Sequence, residues 1–228
     1  MKSVAVQPIV DITPFTILDF SGYLACIVWF AKCNMRCPYC YNRHIVLGNG
    51  VIGTDELLRF LHTRIGRLEG VVLSGGECTL YPDLPELCRK IKEFGFKVKI
   101  DTNGTCPDRL KTLVEMALID FVSLDFKSPP LFFKTVTHSG MYDKVLQSLR
   151  LLIRSDINFE VRTTVHTALL DENAVNDMID ILSNEGYNGV YYLQNYFDTE
   201  NSLGNMQNNP RRLNRKLLTD KIRVEFRN

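Results

Sequence analysis

The chain has 228 residues, 45% of them hydrophobic and 10% aromatic, which suits a domain with a real core and excludes a disordered or fibrous polypeptide. With 27 basic and 26 acidic residues the formal charge is +1, so no bulk attraction to nucleic acid or to a membrane surface is expected; the basic group Arg211, Arg212, Arg215 and Lys216 reads as a solvated helix face. The N-terminal stretch lacks the uninterrupted apolar run of a secretory signal, and the longest apolar stretch, 23–31, is too short to span a bilayer. A cytoplasmic location follows, where clustered members of the 7 cysteines are expected to be metal ligands or redox groups rather than disulfides.

In chain order, "SVAVQPIVDI" (3–12) offers an opening strand. Six short β-branched or aromatic runs follow: "YLACIVWFA" (23–31), "GVVLS" (70–74), "KVKID" (97–101), "FVSLD" (121–125), "FEVRTTV" (159–165) and "VYYLQ" (190–194). Helical patterns lie between them at 54–65, 83–94, 108–117, 141–154 and 171–185, several bounded by capping residues or glycine. The stretch 198–210, rich in Asn, Ser and Gly, reads as a mobile surface loop, and "KIRVEF" (221–226) as a closing strand. Alternating βα units imply a parallel sheet covered by helices. Without a Rossmann glycine fingerprint, six units favour an α/β fold of the incomplete (β/α)6 TIM-like barrel type. We expect a single domain over 1–228, with its core at about 17–196 and a loop and C-terminal extension over 197–228.

Residues 33–40 read "CNMRCPYC". Chance placement of two further cysteines at these offsets, over all possible starts, falls below about 1%. The loop follows directly on the first of the six strands, so Cys33, Cys37 and Cys40 are expected at the C-terminal rim, where such folds carry their sites. Three thiolates fit an iron–sulfur cluster with one iron left open to a small molecule, or a zinc site closed by His44. The following strands end in Ser74-Gly75-Gly76-Glu77, in Asp101 and Asn103, and in Asp125 and Lys127. Each alone could be an ordinary βα turn or helix cap; together they describe one polar rim facing one cysteine loop.

"CNMRCPYC" followed by "SGGE" resembles the radical S-adenosylmethionine enzymes. The order "DFSGYLACIVWFAKCNMRCPYCYN", "LSGGECTLYPDL", "IDTNGT", "SLDFKSP" and "EVRTTV" is similar to the activating enzymes of glycyl radical enzymes, nearest those of anaerobic ribonucleoside-triphosphate reductase. The resemblance implies that Cys33, Cys37 and Cys40 hold a 4Fe-4S cluster whose fourth iron is chelated by the methionyl end of S-adenosylmethionine. It places Tyr39 beside the adenine, Ser74, Gly75, Gly76 and Glu77 at the methionine amine, and Asp101, Asn103, Asp125 and Lys127 around the ribose and the methionyl carboxylate. Arg162 would reach that carboxylate or pair structurally with Asp125 or Glu160; Gln194 would reach the adenine or cap a helix. The implied activity is reductive cleavage of S-adenosylmethionine to a 5′-deoxyadenosyl radical that takes hydrogen from a backbone glycine of a partner enzyme, with a flavodoxin- or ferredoxin-type electron donor. The alternatives are a radical enzyme acting on a small molecule or peptide, such as one similar to 7-carboxy-7-deazaguanine synthase, and a non-enzymatic zinc-binding module. This chain departs from the pattern with Lys32 where glycine is usual, Cys78 where proline is common, and Ser21 where the activases often carry proline. Cys26, Cys78, Cys88 and Cys106 read as small core or rim residues, and His62, His138 and His166 as surface or satisfied histidines.

Overall fold

The computed structural model describes residues 7–197 and 202–227, and the chain forms two compact units. The first comprises the chain through Asn34 together with His44–Thr102 and Asp108–Val122; the second comprises Met35–Arg43, Asn103–Pro107 and the chain from Ser123 onward.

In the first unit β1 (Ile9–Thr16) runs antiparallel to β2 (Ala25–Phe30), with Ile12 opposite Val28 and Thr16 opposite Ala25. β2, β3 (Gly70–Gly75) and β4 (Lys97–Thr102) then pair in parallel, Val28 beside Leu73 and Leu73 beside Ile100. The near-continuous apolar runs of β2 and β3 are what parallel strands covered on both faces require. On one face Phe20, Ala25, Ile27 and Val72 form a buried cluster with Trp29 and Phe121 against it. Trp29 Nε1 donates to Thr13 Oγ1 at 2.8 Å, which ties the antiparallel strand to β2 through the indole. Helices α1 (Arg43–Leu47), α2 (Thr54–His62), α3 (Leu84–Glu93) and α4 (Pro107–Glu115) connect the strands. On α3 the buried residues Leu84, Leu87, Cys88 and Ile91 recur at helical spacing and make its inward stripe.

The second unit carries the last three residues of β5 (Phe121–Asp125), then β6 (Asn158–Val165), β7 (Tyr191–Asn195) and β8 (Val224–Arg227), with α5 (Pro130–Thr137), α6 (Tyr142–Ile153) and α7 (Glu172–Asn184). β6, β7 and β8 are parallel; Arg162 lies beside Tyr192, and Gln194 beside both Thr164 and Arg227. Alternation is clean here. Val161, Thr163, Val165, Tyr191 and Leu193 are buried, while Glu160, Arg162, Thr164, Tyr192 and Gln194 are half-buried on the opposite face. Glu160 accepts from Ser123 Oγ at 2.8 Å and from both terminal nitrogens of Arg227, whose guanidinium lies 3.4 Å over the Tyr192 ring. The polar face of the second unit is therefore a ladder of paired charges.

The six expected strands are present, as are the opening and closing ones, so the described residues contain eight strands. β1 starts within the expected segment and runs on to Thr16. Helices α1 and α5 were not anticipated. Of the expected surface loop, residues 198–201 lie outside the described residues; 202–210 carry no helix or strand and are fastened by hydrogen bonds: Tyr196 donates its hydroxyl to Met206 O at 3.1 Å, and Asn209 Oδ1 accepts from Thr167 N at 2.7 Å. One expectation at the C-terminal end is corrected: the basic residues do not form a helix face. Arg211 pairs with Glu172 on α7, and Arg215, in a three-residue 3-10 turn, lies 4.2 Å over the Phe226 ring. Among the described residues no helix is long and apolar enough to cross a membrane.

Candidate active site

In the first unit the ends of β2 and β3 are locked together. Lys32, just before Cys33, adopts φ 70°, a left-handed conformation that glycine takes freely and lysine does not, which explains the usual glycine at this position. Gly76 N donates to Phe30 O at 2.8 Å and Glu77 N to Lys32 O at 2.9 Å. A Cβ on Gly75 would fall 2.3 Å from Phe30 N, and one on Gly76 only 1.9 Å from Lys32 O. The two glycines are thus required by backbone packing against the start of the cysteine loop, beyond any approach of a ligand.

Glu77 is buried, and its Oε1 accepts from Thr79 N at 3.1 Å, Thr79 Oγ1 at 2.5 Å and Thr102 Oγ1 at 2.8 Å. Three donors on one oxygen fix the carboxylate and favour its charged form. Neither threonine stood out in the sequence. Their signal was available, since a residue two beyond a buried carboxylate and another at the end of the adjacent strand are natural neighbours of it. Ser74 Oγ donates to Asp101 Oδ2 at 3.1 Å, and Asp101 is neutralised by the buried Lys99, also missed. Cys78, the residue in place of proline, is fully buried and its thiol donates to Leu73 O at 3.4 Å and Asp101 O at 3.5 Å, linking the ends of β3 and β4. Burial pushes its thiol well up. Cys26 and Cys88 are likewise buried, each pushed by desolvation to about 12, and act as core residues; Cys106 is half-buried.

The second unit holds Cys37, Tyr39 and Cys40. Cys40 N donates to Cys37 O at 3.0 Å, closing a turn that carries both thiols. Burial raises the Cys37 thiol, while the positive charge of Lys127 pulls it back toward the thiolate. Asp125 accepts from Lys127 Nζ at 3.0 Å on one oxygen and from Arg162 Nε at 2.5 Å on the other. Burial alone would raise this carboxyl, but Arg162 and Lys127 outweigh it and hold Asp125 well below the usual carboxylate range. Arg162 takes the structural pairing with Asp125, and Lys127 shares it. Asn103 is buried with its carboxamide oxygen engaged by Thr105 N at 3.0 Å and Thr105 Oγ1 at 2.6 Å, a side-chain turn that shapes the loop after β4. Gln194 sits half-buried on the polar face of β7.

The donor set fits an iron–sulfur cluster. Cys33, Cys37 and Cys40 are not in disulfides among the described residues, and sulfur is the donor such a cluster takes. His44 is exposed on α1. Tyr39 is buried beside the turn, with its hydroxyl against the Cys37 thiol.

The motif order on this α/β frame, a cysteine loop after one strand and acidic or cationic residues after the next three, defines a class of enzyme. The chain belongs to the radical SAM superfamily, whose family model matches residues 27–183, and the cofactors of that superfamily are a 4Fe-4S cluster and S-adenosylmethionine. A provisionally named glycyl-radical enzyme activating enzyme of Methanocaldococcus jannaschii is 32% identical over 179 residues, covering 76% of this chain and 73% of that protein. A 7-carboxy-7-deazaguanine synthase of Methanopyrus kandleri is 33% identical over 135 residues, 48% of this chain and 52% of that one. Among solved structures, Streptococcus suis SuiB bound to S-adenosylmethionine superposes with a TM-score of 0.67 at 13% identity, covering 89% of this chain and 52% of SuiB, a likeness of fold.

Proposed function

We propose that this chain is the activating enzyme of a glycyl radical enzyme, most specifically of anaerobic ribonucleoside-triphosphate reductase. The observation that carries this reading is the relation to the Methanocaldococcus activating enzyme, which extends over three quarters of each chain, against about half for the deazaguanine synthase. Cys33, Cys37 and Cys40 are the cluster ligands in this reading. The bound cluster and S-adenosylmethionine supply one-electron cleavage of the sulfonium and abstraction of hydrogen from the target; the chain supplies orientation and exclusion of competing reactions.

Glu77, fixed by Thr79 and Thr102, is placed to receive the methionyl amine, with Ser74, Gly75 and Gly76 shaping the turn that carries it. Lys127 suits the methionyl carboxylate as a point charge, held in place by its pairing with Asp125, which Arg162 supports from the other side. Tyr39, Asp101, Asn103 and Gln194 complete the nucleoside side. We further assign the chain to the cytoplasm as a single radical SAM domain over 1–228 with its core at about 17–196. Its electron donor is of flavodoxin or ferredoxin type, and it has no nucleic-acid or membrane partner.

The test is anaerobic reconstitution with a reductant and S-adenosylmethionine, with and without the candidate reductase. A glycyl-radical doublet in the reductase by electron paramagnetic resonance, dependent on both this protein and S-adenosylmethionine, is expected. 5′-Deoxyadenosine that forms only with a purine precursor, and no doublet, would transfer the assignment to the small-molecule reading.

A further inference from the structure

Within the second unit, a segment that the cofactor reading leaves unused lies directly on the cysteine turn. Leu203 N donates to Cys40 O at 2.9 Å and Gly204 N to Pro38 O at 2.8 Å. These two amides thus engage alternate carbonyls of the turn that Cys40 N closes on Cys37 O. The fit depends on residue 204 having no side chain: a Cβ there would fall 2.4 Å from Pro38 Cβ and 2.8 Å from Pro38 Cα. A proline ring has no rotamer by which to step aside.

The other half of the segment is fastened to the end of β6 and the start of α7. Met206 N donates to Ser202 Oγ at 3.0 Å, and Met206 O receives the Tyr196 hydroxyl at 3.1 Å. His166 Nδ1 accepts from Ala168 N at 3.3 Å, which leaves Nε2 as the N–H that donates to Gln207 O at 3.0 Å. Asn209 accepts from Thr167 N at 2.7 Å and donates to Val165 O at 3.1 Å, and Arg211 meets both oxygens of Glu172 at 2.5 and 2.6 Å. Alongside, Tyr41 stacks on Tyr196 with ring centroids 5.4 Å apart and its hydroxyl accepts from Phe197 N at 2.7 Å. A loop that merely covered the surface would leave most of these backbone groups to water. This one spends them on a single turn and a single anchor.

We propose that residues 202–211 form a strap that sets the geometry of the Cys37–Cys40 turn and thereby controls retention of the cluster, with Gly204 as its positioning residue. The proposal rests on the assignment of Cys37 and Cys40 as cluster ligands. Loss of iron requires the turn to open, and local opening is governed by the hydrogen bonds that must break. The strap adds two such bonds to the single one the turn makes within itself.

The test compares wild type, Gly204→Val, Tyr196→Phe and Cys37→Ala. In the apo-protein, iodoacetamide labelling of Cys37 read by mass spectrometry is expected to be about tenfold faster in Gly204→Val, with an unchanged circular dichroism spectrum, and about threefold faster in Tyr196→Phe, as expected for weakened local protection. In the reconstituted protein, transfer of iron to a chelator should accelerate by similar factors. Should Gly204→Val fail to fold, Tyr196→Phe decides. Labelling at the wild-type rate in a folded variant would overturn the strap. If Cys37→Ala keeps its full iron and sulfide, the ligand assignment fails instead, and the labelling rates still report on the strap alone.

Discussion

Lys32 occupies a left-handed backbone position one residue before Cys33. A lysine there stores strain of about 1–2 kcal/mol that glycine would not, so Lys32→Gly is expected to raise the unfolding free energy, and with it the urea midpoint, by up to about 1 kcal/mol once the entropy glycine gains in the unfolded chain is subtracted. An unchanged or lower midpoint would show that the lysine side chain compensates locally. Glu77 makes the complementary case. Thr102→Val keeps the shape of the side chain but removes one of the three donors on the buried Oε1, at an expected cost of about 1–2 kcal/mol in chemical unfolding. The same change should weaken S-adenosylmethionine binding measured by calorimetry, because Glu77 loses part of its orientation; full affinity would separate Glu77 from the amine. At this scale the sequence was readable where chemistry is concentrated. Three cysteines within eight residues, and the Ser-Gly-Gly-Glu turn, could be recognised as a site without coordinates. Thr79, Thr102 and Lys99 were not singled out, because a threonine or lysine at or just beyond a strand end has many roles and only the neighbour it meets selects one.

At the scale of elements, the strands and the longer helices followed from their apolar periodicity, while α1 and α5 escaped it. α1 has only five residues, and α5, "PLFFKTVT", is too apolar to show an amphipathic stripe. Its Phe133 is buried edge-on against Tyr142, so its apolar character reflects packing against α6. The loop expected over 198–210 is irregular over its described residues, and what its composition did not show is that Asn, Ser and Gly also make the side-chain and backbone hydrogen bonds that pin residues 202–209. Anchoring of this segment to α7 has a pH signature. Arg211, followed by Asn214 N, lowers the Glu172 carboxyl from 4.5 to about 2, while Arg211 stays charged throughout and Asp171 is its other near charge. A depressed carboxyl stabilises above its ordinary value and loses that contribution as pH falls through the folded one. Wild type should therefore melt roughly 2–4 °C above Glu172→Gln at pH 6, the shift expected from ~1 kcal/mol in a chain of this size, with the gap closing between pH 4.5 and 2. A gap independent of pH would mean that Glu172 acts through packing.

For the whole molecule, the fold class was visible in the alternation of strands and helices, and the superfamily in the order of the motifs at strand ends. The edge strands β1 and β8 were legible as an opening and a closing run, though not their exact bounds, because they carry no βα repeat of their own. The pattern could not show that glycines 75 and 76 answer to backbone packing as well as to chemistry. The account as a whole depends on three sulfurs binding three irons and leaving the fourth to S-adenosylmethionine. The most direct measurement is electron paramagnetic resonance of the anaerobically reconstituted, reduced protein, titrated with S-adenosylmethionine and paired with iron and sulfide analysis. About four irons and four sulfides per chain, lost in Cys37→Ala, and a cluster spectrum that changes on adding S-adenosylmethionine are predicted. Stoichiometric zinc without sulfide, or a cluster spectrum indifferent to S-adenosylmethionine, would contradict it.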